Sequence, residues 1–225
     1  MPKTRASKTL PGAAQRTPQI LAALHQAYPE ATCSLKYSNP LELLVATILS
    51  AQCTDSLVNA VTPEVFKKYR SAKAYASANL SQLERDLARI NFYRGKANNI
   101  HAAARILVER FGGQVPRRME DLLQLPGVAR KTANVVLGNA FKVQSGIVVD
   151  THVMRVSQRV GLTQQTDRDK IERDLMALVP EDRWISFGHQ MIFHGRYTCT
   201  ARAPKCTRCA LGEALCPSYQ PAANA

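Results

Sequence analysis

At 225 residues the chain can bury one generous core or two small ones, and its 45% hydrophobic content is that of an ordinary globular protein. Its formal net charge of +13 points to polyanionic partners, of which nucleic acid is the commonest inside a cell. No stretch approaches the ~18 uncharged apolar residues of a spanning helix, since residues 41–51 are few and include Glu42, and Met1, Pro2, Lys3, Thr4 and Arg5 lead into no apolar run. The expectation is a soluble, cytoplasmic, nucleoid-associated chain with no membrane partner, in a compartment where thiols stay reduced.

The first sixteen residues are polar and carry Lys3, Arg5, Lys8 and Arg16 with no acid before Glu30, so they read as a flexible basic tail. Thr17 and Pro18 form a cap and first turn for a helix over 17–28, and Asn39 and Pro40 do the same for one over 40–51. Ser81 and Glu84 form a capping box ahead of Leu83, Leu87 and Ile90. The following helix runs from Arg94 to Phe111 and stops at Gly112 and Gly113, with a further one near 119–124. Helices also fit 130–141, 151–160, 169–178 and 184–197, whereas Ile147, Val148 and Val149 read as a buried connector. Residues 217–225 read as a second tail. The fold class is all-α.

Four features carry chemistry. Leu125, Pro126, Gly127, Val128 and Ala129 make a tight turn between two helices, which aims free backbone N–H groups outward where the helix dipole favours an anion such as a DNA phosphate. Lys131 falls in the first turn of the second helix, where the macrodipole and partial burial would ease loss of its proton and make the amine a candidate nucleophile. Asp150 stands before the helix at Thr151 as an N-cap, and a carboxylate held rigidly in that way can also face a cleft.

The fourth feature is Cys199, Cys206, Cys209 and Cys216, with six, two and six residues between them in a stretch too polar and proline-broken to fold unaided. Such a set reads as a metal site, and its spacing leaves zinc and an iron-sulfur cluster equally open. Cys33 and Cys53 read as small buried residues.

Four segments in order, residues 49–55 (Leu49, Ser50, Ala51, Gln52, Cys53, Thr54, Asp55), 125–136, 149–153 and 194–199, closing with the cysteine loop, resemble the endonuclease III branch of the helix-hairpin-helix DNA glycosylases. The likeness spans residues 17–216. It implies a two-lobed helix-hairpin-helix glycosylase fold. A six-helix barrel lobe would occupy 32–144, and an iron-sulfur cluster lobe would combine 1–31 with 145–225. It implies a bifunctional glycosylase and AP lyase of base excision repair that takes damaged pyrimidines from double-stranded DNA as a monomer. Lys131 and Asp150 would be catalytic, one from each lobe, and the four cysteines would hold a [4Fe-4S] cluster. Gln52 and Phe92 would be wedges filling the gap left by a flipped base. Gly127, Ala129 and His152 would complete the DNA contacts. For Phe92 the alternative is a core aromatic.

Two departures from the family pattern stand out. The family usually has five residues between its last two cluster cysteines and here there are six, 210–215. Ala129 stands where the hairpin usually has glycine, which would strain a left-handed backbone by about 1 kcal/mol. The rival readings are a monofunctional adenine or mismatch glycosylase of the same fold and a DNA-binding module without catalysis. Lys131 and the nine residues after Cys216, too few for an added domain, count against the first, and the pair Lys131 and Asp150 counts against the second.

Overall fold

The N-terminal helix starts earlier than the Thr17 and Pro18 pair suggests: in the computed structural model, which describes residues 12–220, α1 spans Ala13–Ala27 with Pro18 inside it. Gly12, at φ 77°, leads into it, and Thr17 Oγ1 bonds back to Ala13 O at 2.8 Å. Pro18 lies in the second turn, where its missing N–H removes one helical bond, and a helix-start proline and an internal one look alike in sequence. Arg16 therefore belongs to a helix, not a tail. Its Nη1 donates to Val160 O at 2.8 Å and to Leu215 O at 2.7 Å. Lys3, Arg5 and Lys8 of the expected tail lie outside the described residues, as do 221–225 of the second tail, whereas Tyr219 N bonds Cys216 O at 3.0 Å.

Two compact units follow from the chain's contacts, one over Cys33–Ser145 and one combining the described residues up to Thr32 with those from Gly146 onward. Among the described residues there is no β-strand. In the first unit, α2 (Pro40–Ser50) is buried along most of its length and packs against α3 (Asp55–Lys68), α6 (Tyr93–Phe111) and α8 (Arg130–Phe141). Asn39 caps α2 through Glu42 N, as its sequence suggests. Helices α4 (Ala72–Ala76) and α5 (Leu80–Asp86) rest on α6, and α7 (Met119–Leu122) rests on α8. The cap of α5 is Asn79, which accepts from Gln82 N at 3.1 Å, so the Ser81 and Glu84 capping box does not form. Asn79 wins because the helix starts at Leu80, leaving Ser81 already helical. Leu43, Leu83, Leu87, Leu107 and Leu122 anchor a single core for this unit.

The second unit has its own core, built on Ile20, Leu24, Val153, Ile171, Leu175 and Phe187. Around it lie α1, α9 (Thr151–Val160), α10 (Arg168–Leu178) and α11 (Trp184–Tyr197), with α1 and α9 both packed on α11. Ile147 and Val149 are buried in the irregular stretch before α9, as expected of a connector. A 3-10 turn over Cys206–Arg208 and a short α12 (Gly212–Leu215) complete the unit.

Asp86 ties α5 to the end of α3: it accepts from Lys68 Nζ at 2.6 Å, Tyr69 Oη at 2.7 Å and Gln82 Nε2 at 2.8 Å. Burial alone would raise its pKa, but the bonds from Lys68, Tyr69 and Gln82 outweigh it and hold the carboxyl below its ordinary value. That stabilisation is present above the unfolded pKa of about 3.9 and is lost as pH falls through the lower folded value. Asp86→Asn is expected to destabilise the protein by about 1 kcal/mol at pH 7. Urea unfolding should show the gap closing as the pH is taken below the carboxylate range.

Candidate functional site

Gly127, at φ 79°, turns the chain between α7 and α8, and a Cβ there would lie 3.0 Å from the Asn99 side chain. Only glycine suits both the left-handed backbone and the close approach to α6. Ala129 sits at φ −91° and ψ 171°, an extended conformation any residue adopts, so the strain expected of alanine does not arise. It is the N-cap of α8 and supplies no side-chain bond, which leaves the first N–H groups of that helix without a side-chain cap. Lys131 is in this first turn and is exposed, so the partial burial expected of it is not found.

Asp150 Oδ1 accepts from His152 N and from Val153 N, both at 2.8 Å, capping α9 as expected. Both bonds fall on one oxygen, so Oδ2 of this half-buried carboxylate is left to act.

Gln52 and Phe92 share an unusual backbone. Their φ values are 54° and 56°, and with Lys142 they are the non-glycine positive-φ residues among the described ones. Phe92 is 69% exposed, so it is not a core aromatic. Gln52 is exposed as well, and Asn91 Nδ2 donates to its carbonyl at 2.9 Å, joining the two segments. Sequence reasoning missed Lys96, which is buried beneath them and bonds Leu49 O and Ala51 O. A signal was there. Lys96 falls on the apolar stripe of α6 with Ile100, Ala103 and Leu107, where a lysine has no reason to be unless its ammonium is needed.

Around the cysteines, α9 supplies two arginines one turn apart. Arg155 Nη2 donates to Gly195 O at 2.8 Å and Cys199 O at 3.1 Å, and it lies 3.3 Å from His152 Nδ1. Arg159 Nη1 donates to Thr200 O at 2.7 Å and approaches Cys199 Sγ at 3.4 Å, while Nη2 donates to Ala201 O at 2.9 Å. His152 is thus half-buried against α11 rather than free on the surface. His194 lies 3.7 Å from Cys209 Sγ, with Tyr28 Oη 3.3 Å from its other ring nitrogen, and burial pushes its pKa down to about 4. Burial likewise pushes the Cys209 and Cys216 thiols up, partly offset by backbone hydrogen bonds. None of these pins is visible in the sequence, where an arginine or histidine on a helix reads as surface charge.

Cys199, Cys206, Cys209 and Cys216 line one cavity of about 270 Å³, together with Arg159 and His194. Among the described residues, no three His, Cys, Asp or Glu side chains close tightly enough to hold a single metal ion. The six residues between the last two cysteines fold as a turn: Leu211 is buried in the unit's core, and 212–215 form α12, whose last carbonyl takes the bond from Arg16.

The family model of the HhH-GPD superfamily base excision DNA repair proteins matches residues 45–181. Endonuclease III of Synechocystis sp. is 55% identical over 92% of this chain and 94% of its own. The Bacillus subtilis endonuclease III is 48% identical over 82% and 84%, and that of Escherichia coli K12 is 39% identical over 88% and 93%. Among solved structures, a trapped endonuclease III-DNA covalent intermediate superposes with a TM-score of 0.86 at 45% identity, covering 91% of this chain and 96% of that one. A non-covalent endonuclease III-DNA complex gives 0.85 at 44% identity, over 91% and 95%. A thermostable thymine-DNA glycosylase, 22% identical, shares the fold at a TM-score of 0.83, covering 92% of this chain and 98% of that one.

Gly195 is where α11 meets the start of α9: a Cβ there would lie 2.8 Å from His152 Cβ and 3.2 Å from both His152 Nδ1 and Val156 Cγ2. Gly195→Ala gains about 1 kcal/mol of helix propensity but overpacks a contact at a cost of about 1–3 kcal/mol, and the atom it meets is a Cβ that cannot swing aside. A net loss of stability is expected in urea unfolding.

Proposed function

The chain belongs to the endonuclease III family of the HhH-GPD superfamily of base excision DNA repair proteins, and we propose that it excises damaged pyrimidines from double-stranded DNA and then nicks the strand. It is a DNA N-glycosylase and AP lyase. The observation that carries this reading is Lys131, an exposed amine in the uncapped first turn of α8, directly after the Gly127 hairpin.

A damaged base inside a duplex is out of reach, so the nucleotide is flipped out and the gap is filled, with Gln52 and Phe92 as the wedges. The hairpin at Gly127 and Ala129 offers backbone N–H groups to a phosphate, and His152 adds a further DNA contact. Lys131 attacks C1′ with its neutral amine, the bond from C1′ to the base breaks, and the base leaves with the electron pair and a proton. Asp150 takes up the proton released by the amine, passes it to the departing base and stabilises the positive charge that develops at the sugar. The lysine nitrogen's lone pair then forms the C1′=N double bond as the C1′–O4′ bond breaks and O4′ takes a proton, opening the sugar to a Schiff base that acidifies C2′, which loses a proton to solvent. The electron pair then expels the 3′ phosphate and breaks the strand. Among the described residues no helix is long and apolar enough to cross a membrane. We propose that the enzyme acts as a monomer on the nucleoid in the cytoplasm.

The donor set also suits a [4Fe-4S] cluster. A single zinc ion with bonds of about 2.3 Å would draw four sulfurs to one point, whereas these four cysteines surround a cavity. Cys199, Cys206, Cys209 and Cys216 would hold the cluster, which supplies a covalent hub organising an otherwise polar loop for DNA contact. The exposed Arg202, Lys205 and Arg208 are that loop's cations. Protein purified without oxygen is expected to carry about four irons per chain, and stoichiometric zinc without iron would overturn the cluster.

Borohydride trapping tests the nucleophile. A covalent adduct with damaged duplex is expected from the native enzyme and none from Lys131→Ala, which loses both excision and nicking while DNA affinity stays near native, one charge being a small part of the electrostatic binding. Asp150→Asn is expected to cut single-turnover excision severely with little change in melting temperature, because asparagine caps a helix about as well as aspartate. A melting temperature that fell in step with the rate would reduce Asp150 to a structural cap.

A further inference from the structure

Lys96 is the most unusual buried group outside the chemistry described above. It is 6% exposed, in the first turns of α6, and its Nζ donates to Leu49 O at 2.8 Å and Ala51 O at 2.6 Å, with Cys53 Sγ at 3.4 Å. An ammonium has three protons, and three acceptors meet them. Among the described residues it has no carboxylate partner. What faces it instead is the C-terminal end of α2, where carbonyls lack helical donors and the dipole is negative.

Two strained residues flank this contact. Gln52, at φ 54°, follows the carbonyls that Lys96 holds, and Phe92, at φ 56°, is the N-cap of the helix that carries Lys96. A side chain with a Cβ pays about 1 kcal/mol for that backbone, and such residues persist only where their surroundings dictate it. Asn91 Nδ2 closes the arrangement by donating across to Gln52 O at 2.9 Å. Neither strained side chain is packed in the core, since both are exposed, so the strain serves to aim them outward.

We propose that Lys96 is a positioning residue that, with Asn91, fastens the segment after α2 to the turn before α6, making Gln52 and Phe92 one rigid two-pronged wedge. The proposal rests on the wedge reading of those two residues. An apolar side chain would fill the same buried position without the cost of desolvating a charge, so packing alone gives no use for the ammonium. Its use is to hold the two carbonyls, and through them the direction of Gln52. Neither prong then has to be ordered when the duplex opens, which puts the benefit in base flipping rather than in the steps at C1′.

The test uses the full-length enzyme and one oligonucleotide with a single oxidised pyrimidine, as a single strand and as a duplex with 2-aminopurine opposite the lesion. Lys96→Met is expected to slow single-turnover excision from the duplex by about ten-fold relative to the single strand, the scale of losing hydrogen bonds from a charged donor. The 2-aminopurine signal of duplex opening should fall in parallel. Asn91→Ala should shift both readings the same way by about three-fold, the scale of one neutral hydrogen bond. It removes an exposed side chain, so it carries the comparison even where Lys96→Met does not fold.

Both effects should vanish when placed on Gln52→Ala with Phe92→Ala, since a strut matters only while there is a wedge to hold. Equal losses on duplex and single strand, or undiminished losses without the wedges, would overturn the positioning role. Failure of the wedge reading would look different, because the wedge-less enzyme would itself keep its native ratio of duplex to single-strand excision.

Discussion

Helix C-termini present carbonyls that no helical N–H can reach, and in this protein buried or half-buried cations meet them again and again. Lys96 holds the end of α2 through Leu49 O and Ala51 O. Arg16 joins the last carbonyl of α9 to the last of α12. Arg155 takes Gly195 O and Cys199 O at the end of α11, and Arg159 takes Thr200 O and Ala201 O just beyond it. Each contact satisfies polar groups that would otherwise be stranded and places a positive charge at the negative end of a dipole. Charge and hydrogen bonding point the same way, so these pins outlast the exposed ion pairs such as Lys67 with Glu64, whose partners are mostly in water.

The arrangement changes the meaning of the +13 net charge. Part of it never faces a polyanion, because Lys96 is buried and the three arginines are turned toward backbone carbonyls. What remains exposed includes Lys131 beside the hairpin and Arg202, Lys205 and Arg208 on the cysteine loop. The field open to DNA is therefore smaller than composition suggests, by the cations that are committed to backbone carbonyls.

Helix N-termini play the complementary part. Asp150 and Phe92 are N-caps, Lys131 lies in a first turn, and the hairpin N–H groups open α8. A helix end is rigid on one side and open on the other, so a side chain there has a fixed origin and a free face. Asp150 shows both at once, with one oxygen committed to the α9 backbone and the other left over. Structural and chemical uses of such a residue support each other, because the cap is what aims the carboxylate.

Much of this was legible in residue order. Helical periodicity located α2, α6, α8, α9 and α11 almost to the residue, and Asn39, Asp150 and Gly112 marked ends that the structure keeps. These signals are local, arising within a turn or two of one helix. The order of motifs identified the family for the same reason. Where a local signal misled, as at Thr17 with Pro18 and at Ser81 with Glu84, the structure begins the helix at a different residue. The exposure of Phe92, the left-handed backbone of Gln52, the relaxed Ala129 and the carbonyl pins of Arg16, Lys96, Arg155 and Arg159 were all decided by tertiary structure. Arg16 and Leu215 are 199 residues apart, and Lys96 and Leu49 are 47 apart. A periodicity read along the chain carries no information about which distant carbonyl will need a donor, because that need exists only once two helices have packed end against side.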